Sequence, residues 1–262
     1  MKNALIGHTG FVGSTLLRQR QFEARFRSTD IAGIENGSFD CLVCAGAPAQ
    51  KWIANREPQA DLENIERLMG HLEQVRCGTF VLISTVDVFG NPAGVDENSI
   101  PDAAGLHPYG RHRLLLEQFV AGSFERHLIV RLPGLVGPGL RKNVIFDFLN
   151  GNNLHAIDSR GLFQFYPMVN LWYDIRTALD AGLKLVHLTA EPVGVAEVSE
   201  AGFGRPFDNT LDGAPARYDF RSVHAALFGG QGSYQYSRRE SIQAIRAYAQ
   251  SEPLTVKGET PL

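Results

Sequence analysis

Cysteine is scarce, with three residues in a chain of 262. An odd count this low gives no disulfide framework and leaves stability to an ordinary apolar core. No apolar run approaches the roughly 20 residues that cross a bilayer. The apolar start ALIG, residues 4–7, ends in a glycine turn rather than a cleavage site, so the expectation is a cytoplasmic protein with no membrane partner. Strong charge of either sign is also missing. The 25 Lys and Arg residues nearly balance 28 Asp and Glu, a formal charge of −3, which provides no field for nucleic acid or an anionic surface. Histidines are scattered without metal-ligand spacing, so no metal is expected. Neither a G-x-S-x-G elbow nor a phosphate-cradling lysine motif occurs. A small-molecule partner is the reading that remains.

What is present is an alternation of short apolar strands and amphipathic helices. Strands are expected at 3–7, 23–28, 40–45, 79–84 and 127–131. Helices are expected after the first strand, over about 58–75, and from Tyr109 onward. Cys41 and Cys44 spell C-x-x-C inside the strand FDCLVCAGA. Strand residues three apart point to opposite faces, so these are read as buried structural thiols. The alternation implies βαβ units and a doubly wound, Rossmann-type parallel sheet, an α/β fold. Beyond residue 132 the pattern loosens: a glycine- and proline-rich loop, a short helix at 143–150, an aromatic stretch over 151–173, then a helix at 173–182 and a strand at 184–189 that return to the sheet. The expected division is a nucleotide-binding domain of 1–135 joined by 173–190. A small C-terminal substrate lobe would comprise 136–172 and 191–250, with a last helix at 237–250 and a loose tail of 251–262.

The stretch GHTGFVG places Gly7, Gly10 and Gly13 between the first strand and the first helix, with Phe11 and Val12 opening that helix. Glycine permits the tight turn and close backbone approach to a pyrophosphate, and the helix start supplies oriented N–H groups. Twenty positions beyond Gly7 stands Arg27, beside Ser28. An arginine there suits a 2′-phosphate, whereas an acid would accept hydrogen bonds from a ribose hydroxyl. This favours NADP over NAD, although Asp30 lies close enough in sequence to reverse the preference.

Together these motifs resemble the extended short-chain dehydrogenase/reductases, the family of nucleotide-sugar epimerases, dehydratases and reductases. GHTGFVG is similar to their glycine turn, and CLVCAGAP to the strand that ends in small residues beside the cofactor, here Ala45, Gly46 and Ala47. DLENI looks like their helix asparagine (Asn64), STVDVFG like their hydroxyl-bearing strand end, and HPYGRHR like Y-x-x-x-K. RLPGLVGPG resembles the following loop, with Leu132 and Pro133. The resemblance implies that Thr85 hydrogen-bonds a substrate oxygen, that Tyr109 is the acid/base, and that Arg113 stands in the lysine's place. It also implies that Arg141 and Lys142 fall where relatives hold a substrate diphosphate, and that two copies pair through helices near 58–75 and 109–125. Dehydratases of this family carry two acids after the threonine. Here Val86 and Asp87 occupy those positions, which argues against dehydration.

The implied chemistry is hydride transfer at a carbon bearing oxygen, which requires a proton to be gained or lost at that oxygen. A tyrosine with its ordinary value near 10 is a poor base at neutral pH, and a neighbouring cation favours phenolate. Arg113, one helical turn from Tyr109, would supply that charge and donors to a ribose, but guanidinium is bulkier and flatter than ammonium. The leading expectation is therefore an NAD(P)-dependent oxidoreductase acting on a sugar or sugar-nucleotide-like substrate. An epimerase that retains its cofactor and a catalytically impaired NAD(P)-binding sensor or subunit are the alternatives. The flanking His107 and His112 are expected at the surface. Phe163, Phe165, Tyr166, Trp172 and Tyr173 are read either as a stacking surface or as the apolar joint between lobes.

Overall fold

The computed structural model describes residues 2–254. Six strands run in parallel: β1 (Asn3–Ile6), β2 (Ala24–Phe26), β3 (Ser38–Cys44), β4 (Arg76–Thr85), β5 (His127–Leu132) and β6 (Leu185–His187). Their spatial order is β6-β5-β4-β3-β1-β2. The chain moves outward from β1 to β2, then returns past β1 to β3, so the order reverses between β1 and β3. In such sheets ligands bind in the crevice beyond the carboxyl ends of the strands at that reversal.

Alternate residues of the apolar strands serve opposite faces, which is why those strands read as continuous apolar runs. On one face Ala4, Ile6, Leu42, Cys44, Phe80 and Leu82 pack beneath α3 (Pro58–Leu72) and α4 (Pro108–Ser123). On the other, Leu5, Val43, Val81 and Val130 pack beneath α1 (Phe11–Gln19) and α6 (Leu171–Asp180). Cys41 and Cys44 accordingly lie on opposite sides, and burial pushes the Cys44 thiol up to about 11. All three cysteines are free.

The strand expected at 23–28 is only three residues long, and the helix expected to reach 75 ends at Leu72. A short helix, α2 (Lys51–Arg56), precedes α3 and carries no apolar periodicity that would have announced it. After β5, residues Gly134–Val136 pair in parallel with Phe165–Pro167. A third core there joins Ile145 and Phe148 of α5 (Val144–Asn150), Phe165, Val193, Val195, and Ile242, Ile245 and Tyr248 of α7 (Arg238–Ser251). Ser237 opens α7 with a reciprocal bond to Glu240, the S-x-x-E capping box. Ser251, assigned above to the tail, closes this helix, and the tail beyond 254 lies outside the described residues. Among those residues no helix is long and apolar enough to cross a membrane.

Candidate active site

A single cleft of about 1450 Å³ runs along the carboxyl ends of β1, β3 and β4. Its walls include Gly7, Gly10, Phe11, Val12, Arg27, Ser28, Ala45, Gly46, Ala47, Asn64, Thr85, Asp87, Tyr109, Arg113, Leu132, Pro133 and Lys142. Gly13 and Arg141 are not among its walls. Arg141 is exposed elsewhere, and the adjacent pair is split, with Lys142 alone donating to the Ala49 carbonyl across the cleft.

The three glycines of the turn do different things. Gly7 has φ +80°, a conformation that L side chains rarely adopt, and a Cβ there would lie 2.2 Å from the Ala45 carbonyl oxygen. At Gly13 a Cβ would lie 2.1 Å from the Gly7 oxygen, so this glycine seats α1 on the turn and does not face a ligand. Only Gly10 has room within the protein, its nearest neighbour being 3.5 Å away. It nevertheless lines the cleft, where a bare Cα lets a ligand approach the backbone. Gly10 is also the N-cap of α1 and offers no side-chain acceptor, so the first-turn N–H groups are left to an anion. The turn thus fits a pyrophosphate.

At the end of β2, Arg27, Ser28 and Thr29 line the cleft, and Asp30 does not. The Asp30 carboxylate turns back to accept from the Arg27 amide at 2.6 Å. Asn64 lines the same cleft from the exposed side of α3, bonded to Arg67.

Tyr109 is fixed by the start of α4. Pro108 occupies the first helical position, His107 Nδ1 accepts from the Gly110 amide at 3.1 Å, and Asn55 of α2 accepts from the Tyr109 amide at 3.0 Å. Two turns further on, Glu117 holds α4 to the sheet. It accepts from Arg131 of β5 at 2.6 Å and from Ser84, the residue before Thr85. Thr85 and Tyr109 therefore rest on rigid elements and line the same cleft, and the Thr85 hydroxyl lowers the phenol against the effect of burial.

Arg113 lies against Tyr109, as its spacing suggested, but is also tied to other partners. Its guanidinium carbon lies over the Tyr109 ring, 4.1 Å from the centroid, and the group bonds both oxygens of Asp61 and the Pro48 carbonyl. It is 2% exposed. Burial raises the Tyr109 phenol above its ordinary value, and Arg113 offsets that only in part, so phenolate is not favoured. Asp61 also accepts from His112 Nδ1 at 2.7 Å, which makes His112 a buried partner and not the surface residue expected. Burial alone would raise the Asp61 carboxyl; the bonds from Arg113 and His112 outweigh it and hold the carboxyl below its usual range. Only Nε of Arg113 is buried without a partner, leaving one donor for a ligand in the cleft.

Several cleft residues went unnoticed in the sequence. Lys51 Nζ lies 2.7 Å from Asp87 Oδ1, and burial works against the Lys51 charge but Asp87 outweighs it. The phenol of Tyr218 reaches the same pair, and its ring stacks on Phe163 at 5.3 Å. Of the aromatic stretch, Phe163 alone lines the cleft. Phe165 and Tyr166 are buried core, Trp172 packs on Phe22, and Tyr173 is exposed. Asp61 did leave a signal, since an acid falls on the apolar stripe of α3 with Ile65, Leu68 and Leu72. Lys51 and Tyr218 left none.

No model of a known protein family matches the sequence, and no curated protein matches it. Solved structures do resemble it in shape. A dTDP-4-dehydrorhamnose reductase from Clostridium acetobutylicum superposes with a TM-score of 0.73 at 16% identity, over 95% of this chain and 99% of that one. RMD from Pseudomonas aeruginosa, complexed with NADPH, gives 0.73 at 18% identity over 96% and 99%. A UDP-glucuronic acid 4-epimerase from Bacillus cereus, in complex with a fluorinated UDP-sugar acid and NAD, gives 0.68 at 16% over 95% and 99%. The chain has the α/β Rossmann-type fold of these proteins along nearly its whole length.

Proposed function

We propose that the protein is an NADP(H)-dependent oxidoreductase acting on a carbonyl or alcohol of a sugar or nucleotide-sugar-like substrate. One observation carries the reading: the glycine turn, Thr85 and Tyr109 line a single cleft at the point where the strand order reverses. The neighbours' coenzymes and sugar nucleotides support it. Gly7 and Gly10, with the first turn of α1, would hold the pyrophosphate. Arg27 and Ser28 would meet a 2′-phosphate, and Ala45–Ala47 with Leu132 and Pro133 would flank the rest of the dinucleotide. A bound dihydronicotinamide supplies the hydride. Thr85 then orients the substrate oxygen, and Tyr109, protonated at neutral pH like any tyrosine and held so more firmly by burial, gives that oxygen a proton. Protonated tyrosine suits carbonyl reduction. The substrate would be read by 136–172 and 191–250, with Lys142 and Asp87 at that end of the cleft. The same reading places the protein in the cytoplasm as a homodimer, which its mass in solution tests.

A second reading, a nucleotide-binding subunit without turnover, is favoured by the commitment of Arg113 to Asp61 and Pro48. NADPH oxidation measured with a panel of dTDP-, UDP- and GDP-linked 4-keto sugars separates the two. Turnover is expected, and Tyr109→Phe should lower it by about 100- to 10,000-fold. NADPH binding with no turnover on any of the panel would favour the subunit, and Arg113→Lys, if equally silent, would complete that case. Coenzyme that stays bound through purification, with no net redox change, would mark an epimerase instead.

A further inference from the structure

Tyr109 is 8% exposed, yet a phenol that gives up a proton in each cycle must regain it from solvent. Few groups next to it can carry one. The Arg113 guanidinium keeps its protons at any ordinary pH, and its terminal nitrogens are bonded to Asp61 and Pro48. His112 is turned to Asp61, and the facing nitrogen of His107 is occupied by the Gly110 amide. Burial, followed by the nearby Lys51 charge, also holds His107 below its ordinary value, so it is neutral near pH 7.

The remaining titratable neighbours form a connected set. The Thr85 hydroxyl, beside the phenol, lies 3.5 Å from Asp87 Oδ2, and its oxygen accepts from the Asp87 amide at 3.2 Å. The other Asp87 oxygen is 2.7 Å from Lys51 Nζ. Exposure rises along this line, since the Asp87 side chain is 17% exposed and that of Lys51 39%. Gly110 allows the close approach that brings the pieces together, because a Cβ there would lie 2.0 Å from the Asp87 carbonyl oxygen. Tyr218, stacked on Phe163, reaches the same pair from residues far along the chain.

We propose that Asp87 and Lys51 form the route by which Tyr109 exchanges its proton with solvent, a role that rests on the oxidoreductase reading above. When Tyr109 protonates the substrate oxygen, the phenolate takes the Thr85 hydroxyl proton and Thr85 is restored from Asp87. The Asp87 carboxylate takes that proton from the Lys51 ammonium at Oδ1 and brings it to Thr85 by rotation of the protonated carboxyl, and the Lys51 amine recovers one from water. One proton passes inward and no electrons move along the route. In alcohol oxidation the direction reverses. Lys51 and Asp87 act through Tyr109 and are positioning residues, supplied by α2 and by the turn after β4.

The test compares Lys51→Met and Asp87→Asn with the wild type in NADPH oxidation with dTDP-4-dehydrorhamnose and the 4-keto sugar panel. Each variant should lose about tenfold or more in kcat. KM for NADPH should stay within roughly twofold, because the interaction removed is not a binding contact for the coenzyme. The lost rate should return on adding imidazole or methylamine, which a merely structural role would not allow. The pH profile should also shift, and the charged or titratable groups that set it are Tyr109, Asp87, Lys51, Lys142, Arg113, His107 and Tyr218. A Lys51→Met enzyme with wild-type kcat and pH profile would overturn the proposal, as would a loss confined to KM and indifferent to added base. Lys51 is partly exposed, so its variant stays informative if Asp87→Asn fails to fold.

Should the wild type itself turn over none of the panel, the oxidoreductase reading fails, and the phenol can still be examined without coenzyme. Ultraviolet titration referenced to Tyr109→Phe should then show a higher ionisation midpoint in Lys51→Met and a lower one in Asp87→Asn. Midpoints that do not move would show that the pair is not coupled to Tyr109 and would overturn the proposal.

Discussion

Two cation–carboxylate pairs stand beside Tyr109, and they differ in what surrounds them. The Arg113 and Asp61 side chains are 3% and 5% exposed, whereas those of Lys51 and Asp87 are 39% and 17% exposed. The first pair is closed on itself, with bidentate bonds, a histidine and a backbone carbonyl occupying its donors and acceptors. Its charge still reaches the phenol, lowering it against the effect of burial more than Lys51 does, and its guanidinium covers the ring. The second pair sits where water can reach it, and its lysine can exchange protons. The cation one helical turn from the tyrosine thus tempers its acidity but keeps its own protons, whereas the open pair can exchange them with water. A third buried acid, Asp174, shows what happens with no cation at all. It accepts from the phenols of Tyr166 and Tyr236, and burial pushes its carboxyl up to about 6.

The contrast can be broken at its strongest point first. Asp61→Asn leaves a buried guanidinium without its counter-charge and should cost about 3–5 kcal/mol of stability, read from chemical denaturation. Lys51→Met removes a half-exposed pair and should cost less than about 1 kcal/mol in the same assay. Similar losses for the two would remove the distinction between a closed pair and an open one.

A smaller effect separates Asp174 from Asp61. A carboxyl whose folded value is raised contributes stability that is fully present below its unfolded value and is lost as pH rises through the folded one. Between the ordinary 3.8 and about 6, wild-type stability should fall relative to Asp174→Asn, by about 3 kcal/mol across the window. Melting temperatures of the two proteins from pH 4 to 7 check this. Parallel curves would mean that the two phenols satisfy the ionised carboxylate as well as Arg113 satisfies Asp61.

The glycine-turn end of the cleft was legible in the sequence because local geometry makes it. Gly7, Gly10, Phe11 and Val12 are consecutive or nearly so, and a strand, a glycine turn and a helix start suffice to arrange them. Tyr109 and Arg113 were legible as neighbours for the same reason, one turn apart on α4. What the spacing did not reveal was where the guanidinium goes, because its partner Asp61 lies 52 residues away on another helix. The sheet and its two covered faces followed from the apolar runs of β1, β3, β4 and β5. The substrate end was hidden. Lys51 and Asp87 are 36 residues apart, and Tyr218 lies on a segment with no periodicity, so nothing local marks the three as one cluster. Asp87 stood out only through the resemblance, as an acid after Thr85, and Lys51 and Tyr218 taken singly read as ordinary residues. Gly13 shows the reverse case, where a residue in a ligand-binding pattern is needed for close backbone packing.

The central claim is that this cleft holds a nicotinamide dinucleotide with its pyrophosphate against Gly10. Fluorescence titration of the wild type and of Gly10→Ala with NADPH and NADH tests it most directly, because the added methyl meets the protein only at ordinary contact distance and otherwise projects into the cleft. The expected result is binding of NADPH in preference to NADH by the wild type, with clearly weaker binding by Gly10→Ala at an unchanged melting temperature. No binding of either nucleotide by the wild type, or equal binding by the variant, would contradict the account.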